Sequence, residues 1–149
     1  MKTAIYSLNG GVGKTTLANR LASVNQRPLV SLDTQDGGSI DLAKSAPDNA
    51  ILDCAPKREH GMSVVESTDH LIFILKDVNI INVEHYFFIV RDELLVLKTI
   101  NPNLSVFMQF AYNYQAQSVQ GKRIQELAKK IISSLSFVEF GLPPYLKNE

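Results

Sequence analysis

The stretch "SLNGGVGKTTL", residues 7–17, combines glycines, a lysine and threonines at a spacing typical of phosphate binding. Glycines let backbone N–H groups turn around an anion, and a helix that starts after the loop directs its positive end at the same place. We therefore expect a nucleotide's phosphates to be bound by a loop made of Gly10, Gly11, Val12 and Gly13.

Three polar side chains follow this loop. Lys14 can reach the β- and γ-phosphates, and the hydroxyl of Thr15 is placed to ligate Mg²⁺. Thr16 can contact the α-phosphate. The general pattern G-x-x-x-x-G-K-[ST] is incomplete because Leu8 occupies its first position, and a glycine-rich turn without a ligand is the other interpretation. A predicted strand before the loop and a predicted helix after it favour the phosphate site.

Two aspartates stand at the ends of predicted strands. Asp53 follows the apolar "AIL" and precedes "CAP", where a carboxylate beside a phosphate loop can hold Mg²⁺ through water. Asp33 ends "PLVSLD" and can bind the Mg²⁺ shell or position an attacking water. For each aspartate the alternative is a carboxylate that only caps a turn.

The rest of the chain indicates how these residues are positioned. Strands are predicted at 4–8, 28–33, 49–54, 69–76, from 104, and at 136–140 as an edge strand, and helices at 14–25, 83–100 and 118–135. Alternating strands and helices predict an α/β fold with a mostly parallel sheet of about six strands flanked by helices. Ligands bind beyond the carboxyl ends of such strands, where the loop and both aspartates converge.

Composition limits the class of protein. The 149 residues fit a single domain, 1–149, and 15 basic residues balance 15 acidic ones to a net charge of zero. Any nucleic-acid binding therefore needs a local patch. The single cysteine, Cys54, excludes an intramolecular disulfide, and no apolar stretch reaches the roughly 20 residues that span a bilayer. We expect a cytoplasmic protein without a transmembrane segment.

Two further segments carry open interpretations. The predicted helix 118–135 has cationic residues that form either a DNA-facing patch or an ordinary solvated face: Lys122, Arg123, Lys129 and Lys130. A helix lying on a membrane surface is a third reading. The aromatic group 86–88 is expected in the core or in a dimer interface.

Three motifs, "NGGVGKTT", "SLDTQDGGS" and "AILDCAP", resemble the nucleotide-site motifs of the ParA/MinD superfamily of deviant Walker P-loop ATPases. The layout is most similar to the compact plasmid-partition ParA proteins. "FAYN", which ends at Asn113, and "GLPPY" lie where the family has its adenine-facing asparagine and its proline-containing loop.

The resemblance implies ATP and ADP as ligands, with Mg²⁺ as cofactor. Lys14 and Asp33 would then be catalytic, Thr15 and Asp53 would hold Mg²⁺ (Asp53 through water), and Asn113 would read adenine. It also implies a homodimer that forms on ATP binding, binds DNA or another surface in plasmid or chromosome segregation, and releases it on hydrolysis. A partner protein that stimulates hydrolysis is expected as well.

Two positions depart from the family pattern. Asn9 stands where family members place a signature lysine, and Ser31 replaces the first acid of D-x-D. An uncharged amide cannot neutralise charge on a γ-phosphate, so we expect nucleotide binding with slow turnover. A regulatory or adaptor protein that binds nucleotide without hydrolysing it is therefore an alternative. A small-molecule P-loop kinase is another, although no segment indicates an acceptor pocket.

Overall fold

The computed structural model describes residues 1–9, 13–32, 39–54, 58–76, 82–111 and 119–148. Strands and helices alternate along these ranges. The strands are β1 (Thr3–Tyr6), β2 (Leu29–Ser31), β3 (Ile51–Asp53), β4 (His70–Leu75), β5 (Ser105–Phe110) and β6 (Val138–Phe140). The helices are α1 (Lys14–Val24), α2 (Ser39–Ser45), α3 (Arg58–Val65), α4 (Val83–Ile100) and α5 (Val119–Ile132).

The six strands form one sheet in the order β2-β3-β1-β4-β5-β6, and every neighbouring pair is parallel. This confirms the predicted α/β class and the parallel sheet flanked by helices. In the register, Ile5 of β1 is opposite Asp53 on one side and Ile72 on the other. The end of β3 therefore lies beside the end of β1, from which the glycine loop departs.

The handedness of the crossovers explains how the helices are distributed. Only the step from β1 to β2 runs toward the β2 edge, whereas every later step runs toward β6. Because parallel crossovers are right-handed, α1 lies on one face and the other four helices lie on the opposite face. Apolar residues from α2 to α5 accordingly share one core cluster, while those of α1 belong to a second cluster.

Both faces of the central strands are buried. Along β1, Ala4 and Tyr6 belong to the larger cluster, and Ile5 between them belongs to the smaller. Neighbouring side chains of a strand point to opposite faces, so burial on both sides requires a continuous apolar run. The run "HLIFIL" of β4 follows the same rule.

Most predicted elements appear with shorter bounds. The predicted helix 83–100 is found as α4, and the predicted edge strand 136–140 is reduced to β6. The short helices α2 and α3 were not predicted, because seven or eight residues show too little periodicity. The aromatic group 86–88 divides, since Tyr86 and Phe87 are buried and Phe88 is exposed. Among the described helices, none is long and apolar enough to cross a bilayer.

Candidate functional site

The described part of the glycine loop is its last residue. Gly13 has φ of 88°, a left-handed conformation that glycine adopts without steric cost, and it caps α1. Its carbonyl accepts a hydrogen bond from the N–H of Leu17 at 2.9 Å. Gly10, Gly11 and Val12 lie outside the described residues. The chain thus enters α1 through a conformation suited to a loop that turns back on an anion.

The first turn of α1 is joined to the end of β3 by a hydrogen bond between side chains. The hydroxyl of Thr15 donates to Oδ2 of Asp53 at 2.8 Å. Thr15 is exposed, whereas only 5% of Asp53 is accessible to solvent. The two residues predicted to serve one metal ion are therefore in contact, although 38 positions separate them in the chain.

The donor set at this contact fits Mg²⁺. Because the Thr15 hydroxyl is the donor in its hydrogen bond to Asp53, its oxygen lone pairs stay free for a cation. The other carboxylate oxygen, Oδ1, is buried and has no hydrogen-bond partner within the described ranges. Mg²⁺ prefers hard oxygen ligands and is typically held by one or two carboxylates together with phosphates and water. No group of three or more His, Cys, Asp or Glu side chains that could hold a metal occurs in the same ranges.

Lys14 is the first residue of α1 and is 9% exposed. Its charge acts on Cys54, the residue after Asp53. Burial raises the pKa of the Cys54 thiol to about 12, with a further increase from Asp53 and a partial decrease from Lys14. A thiol with this pKa stays protonated near neutral pH, so Cys54 is a packing group and not a nucleophile.

The residues that lead into the loop are tied to β4. The hydroxyl of Ser7, which is fully buried, donates to the carbonyl of Ile74 at 2.8 Å and accepts the N–H of Asn9 at 3.3 Å. Asn9 itself is half-buried, and its Oδ1 is buried without a partner in the described part of the chain. Sequence reasoning gave Ser7 no role, although a serine directly after a buried strand is a signal for such a tie.

A cleft of about 150 Å³ opens beside the first turn of α1. Its walls combine apolar surface with the long polar side chains of Arg20 and Gln109 and with the amide of Asn148. The remaining lining residues are Gly13, Thr16, Leu17, Ile74 and Phe110. A concave site with a few convergent polar groups is the usual form of a small-ligand pocket. The sequence indicated only Gly13 and Thr16 here, whereas Gln109 could have been noticed as a polar residue near the carboxyl end of a strand.

The other predicted site residues fall into two groups. Asp33 and Asn113 lie outside the described residues. The four cationic residues of α5 are all exposed and share one face: Lys122, Arg123, Lys129 and Lys130. Glu126 is exposed on the same face. The opposite face is buried through Ile124, Ala128 and Ile132. The helix is therefore amphipathic, as both a DNA-facing patch and an ordinary solvated face require.

The sequence matches no protein-family model, and a comparison with curated proteins finds no significant match. The interpretation of the site consequently depends on its own geometry and on the motifs around it.

Proposed function

We propose that this chain is a Mg²⁺-dependent ATP-binding protein that acts, like the ParA/MinD ATPases it resembles, as a nucleotide-gated dimer in DNA segregation. The observation that carries the proposal is the hydrogen bond between Thr15 and Asp53 at the start of α1. It brings a hydroxyl and a carboxylate together beside the positive end of a helix, where a Mg²⁺-bound phosphate group is favoured. The all-parallel sheet supports the proposal, because such sheets bind ligands at the carboxyl ends of their strands.

Each residue of the site has a specific task under this proposal. Lys14 neutralises charge on the β- and γ-phosphates, and Thr16 contacts the α-phosphate from the side of the cleft. Asp53 keeps the Thr15 hydroxyl oriented so that its oxygen is available for the metal. When bound, Mg²⁺ would share the negative charge of the phosphates. Asp33 would help to place the attacking water.

The cleft beside α1 supports a nucleoside as the remainder of the ligand. It adjoins Gly13 and Thr16, and so continues directly from the phosphate loop. The guanidinium of Arg20 and the amides of Gln109 and Asn148 offer donors and acceptors to a base or ribose. ATP therefore fits better than inorganic phosphate alone.

DNA binding would use the exposed cationic face of α5. Lys122 and Arg123 lie about two turns before Lys129 and Lys130, and Glu126 between them leaves the face with a surplus of three positive charges. One such face would bind DNA weakly, but two faces in a dimer would double the number of phosphate contacts. This explains how a chain without net charge could bind DNA only when ATP joins two copies.

An electrophoretic mobility assay with a DNA fragment tests this function. The protein is added in the presence of Mg²⁺ with ATP, with ADP or without nucleotide. We expect retardation with ATP alone, and its loss when the four cationic residues of α5 are changed to alanine. A control variant, Lys2→Ala with Lys44→Ala, removes two cations that lie outside α5 and should retain binding. Retardation that is equal with and without ATP would contradict the gated dimer.

The state of Asn9 favours a second candidate, a nucleotide switch with little or no hydrolysis. Its side chain is short, uncharged and half-buried, with a buried Oδ1, so it cannot supply a cation to a γ-phosphate. A missing cation at that point can lower turnover by about 10³- to 10⁵-fold. Phosphate release by the wild type and by Asn9→Lys separates the candidates, because a gain of activity in Asn9→Lys supports the switch.

A further inference from the structure

Among the described helices, α1 alone packs on one face of the sheet, as right-handed connections require. It covers the strands nearest the β2 edge. On the same face, β4 and β5 are covered by the segment Leu142–Asn148. Leu146 of this segment is 6% exposed and belongs to the same apolar cluster as Ile72 and Phe107. A short irregular segment thus covers apolar side chains of the sheet, as a helix usually does.

Asn25, just after α1, holds this segment by its backbone. Its Nδ2 donates to the carbonyl of Lys147 at 2.7 Å, and its Oδ1 accepts the N–H of Lys147 at 2.8 Å. Nδ2 also donates to the carbonyl of Leu21 at 2.8 Å, which fixes the asparagine to its own helix. The side chain therefore pairs with both polar groups of one residue in the segment.

Tyr145 provides a second attachment. Its hydroxyl lies 2.7 Å from Oγ1 of Thr3 and 2.7 Å from Nδ1 of His70, which are at the starts of β1 and β4. Its ring lies under the guanidinium of Arg27, 4.9 Å from the ring centroid. Both attachments are thus at the amino edge of the sheet, away from the glycine loop.

The segment nevertheless reaches the candidate nucleotide site. Asn148, the residue after the one that Asn25 holds, lines the cleft together with Arg20 and Thr16. We propose that Asn25 and Tyr145 are positioning residues of the nucleotide site, which hold the segment Leu142–Asn148 so that Asn148 completes the wall around the nucleoside. This inference rests on the proposed ATP binding and adds a determinant that contacts no phosphate.

The consequence is a link between attachment of the segment and affinity for the nucleoside. For a ligand that needs the completed wall, the apparent dissociation constant equals the intrinsic one divided by the fraction of molecules in which the segment is attached. Detachment of the segment therefore weakens binding of that ligand. Inorganic tripolyphosphate, which occupies the phosphate loop alone, does not depend on that wall. The ratio of the two dissociation constants therefore reports the contribution of the segment.

Calorimetric titration of the full chain with Mg²⁺-ATP and with Mg²⁺-tripolyphosphate measures this ratio. Asn25→Ala should weaken ATP binding about tenfold, the effect of losing its two hydrogen bonds to the segment, and leave tripolyphosphate binding unchanged. Asn19→Ala is the matched control. Asn19 also donates to the carbonyl four residues back, that of Thr15, and makes no described contact with the segment. Tyr145→Phe, which keeps the ring, should weaken ATP by a smaller factor of about three.

A chain that ends at Leu146 tests whether Asn25 acts through the segment. This chain should bind ATP as weakly as Asn25→Ala, and adding Asn25→Ala to it should change nothing further. Equal ratios for the wild type and Asn25→Ala, or equal losses for both ligands, would overturn the inference while leaving ATP binding intact. A wild type that binds neither ligand would overturn the proposed function, and with it this inference.

Discussion

Replacing Thr15 by valine is the most informative single perturbation of the site. The two side chains have nearly the same shape and similar helix propensity, so the change removes little besides the hydroxyl. The hydroxyl makes one described hydrogen bond, to Oδ2 of Asp53 at 2.8 Å. After the change, neither carboxylate oxygen of Asp53 has a hydrogen-bond partner among the described residues.

The expected loss of stability follows from burial. A hydrogen bond to a charged group contributes about 1.5–3 kcal/mol, and an unpaired buried acceptor keeps its desolvation cost. Because Thr15 is exposed, water can partly replace its lost hydroxyl as a donor to Asp53, so we expect the lower end of that range. A loss of about 1.5 kcal/mol in the free energy of unfolding corresponds to a melting temperature lower by about 3–6 °C in a domain of this size.

Urea unfolding followed by circular dichroism, with EDTA present and no nucleotide, measures this loss. Thr16→Val is the control, because Thr16 is also exposed, lies in the same helical turn and makes no described side-chain hydrogen bond. Its change should stay within about 0.5 kcal/mol. Equal stability of the two variants would refute the contact between Thr15 and Asp53.

The same variant addresses the metal. In the wild type, Mg²⁺ should strengthen ATP binding, whereas in Thr15→Val the dissociation constants with Mg²⁺ and with EDTA should approach each other. Thr15→Ser keeps the hydroxyl and should restore the Mg²⁺ dependence. An unchanged Mg²⁺ effect in Thr15→Val would show that the cation, if bound, uses other ligands.

Three further predictions concern packing and titration. A Cβ at Gly61 of α3 would lie 2.6 Å from Cζ of the fully buried Tyr6 ring, so Gly61→Ala should cost about 1–3 kcal/mol in overpacking against about 1 kcal/mol gained in helix propensity. Chemical denaturation should show a net loss, which should reverse in a Tyr6→Leu background. Because burial raises the pKa of Cys54 to about 12, iodoacetamide at pH 8 should label the native protein far more slowly than the unfolded chain, and equal rates would contradict its burial. Burial lowers the pKa of His70 from 6.5, outweighing the opposite effect of Asp69, and the amino group of Met1 lowers it further. The unfolded chain therefore binds the proton more readily, so stability should be complete above pH 6.5 and decrease as pH falls through the folded pKa, and His70→Gln should lessen that dependence.

The class of fold could be predicted because the relevant signals are local and strong. The apolar run of β4 and the helical pattern over the 18 residues of α4 can each be recognised from their own sequence. The order of strands could not be read in this way. The position of β3 between β1 and β2 depends on pairings such as Ile5 with Asp53, which join distant parts of the chain.

The candidate site shows the same division. The motif and its helix indicated Lys14 and Thr15, and the acid at the end of an apolar strand indicated Asp53. The described residues bring Thr15 and Asp53 into contact, whereas the predicted roles of Asp33 and Asn113 stay predictions.

The place of Asn148 in the cleft could not be predicted from sequence, although "GLPPY" just before it resembles the proline-containing loop of the ParA/MinD family. Asn148 is 128 positions from Arg20, with which it lines the cleft. The short irregular segment after β6 carries no periodic signal, and its position results from tertiary packing of Leu146 and from the pairing of Lys147 with Asn25. Such contacts join distant parts of the chain, so they cannot be predicted from local sequence patterns.

ATP binding is tested most directly by a calorimetric titration of the purified chain with Mg²⁺-ATP, beside Lys14→Ala checked for native circular dichroism. We expect saturable binding of one ATP per chain by the wild type, and at least a hundredfold weaker binding by Lys14→Ala, since the ammonium of Lys14 at the start of α1 would neutralise the phosphates. A wild type that does not bind ATP, or a Lys14→Ala variant that binds it equally well, would contradict the central claim.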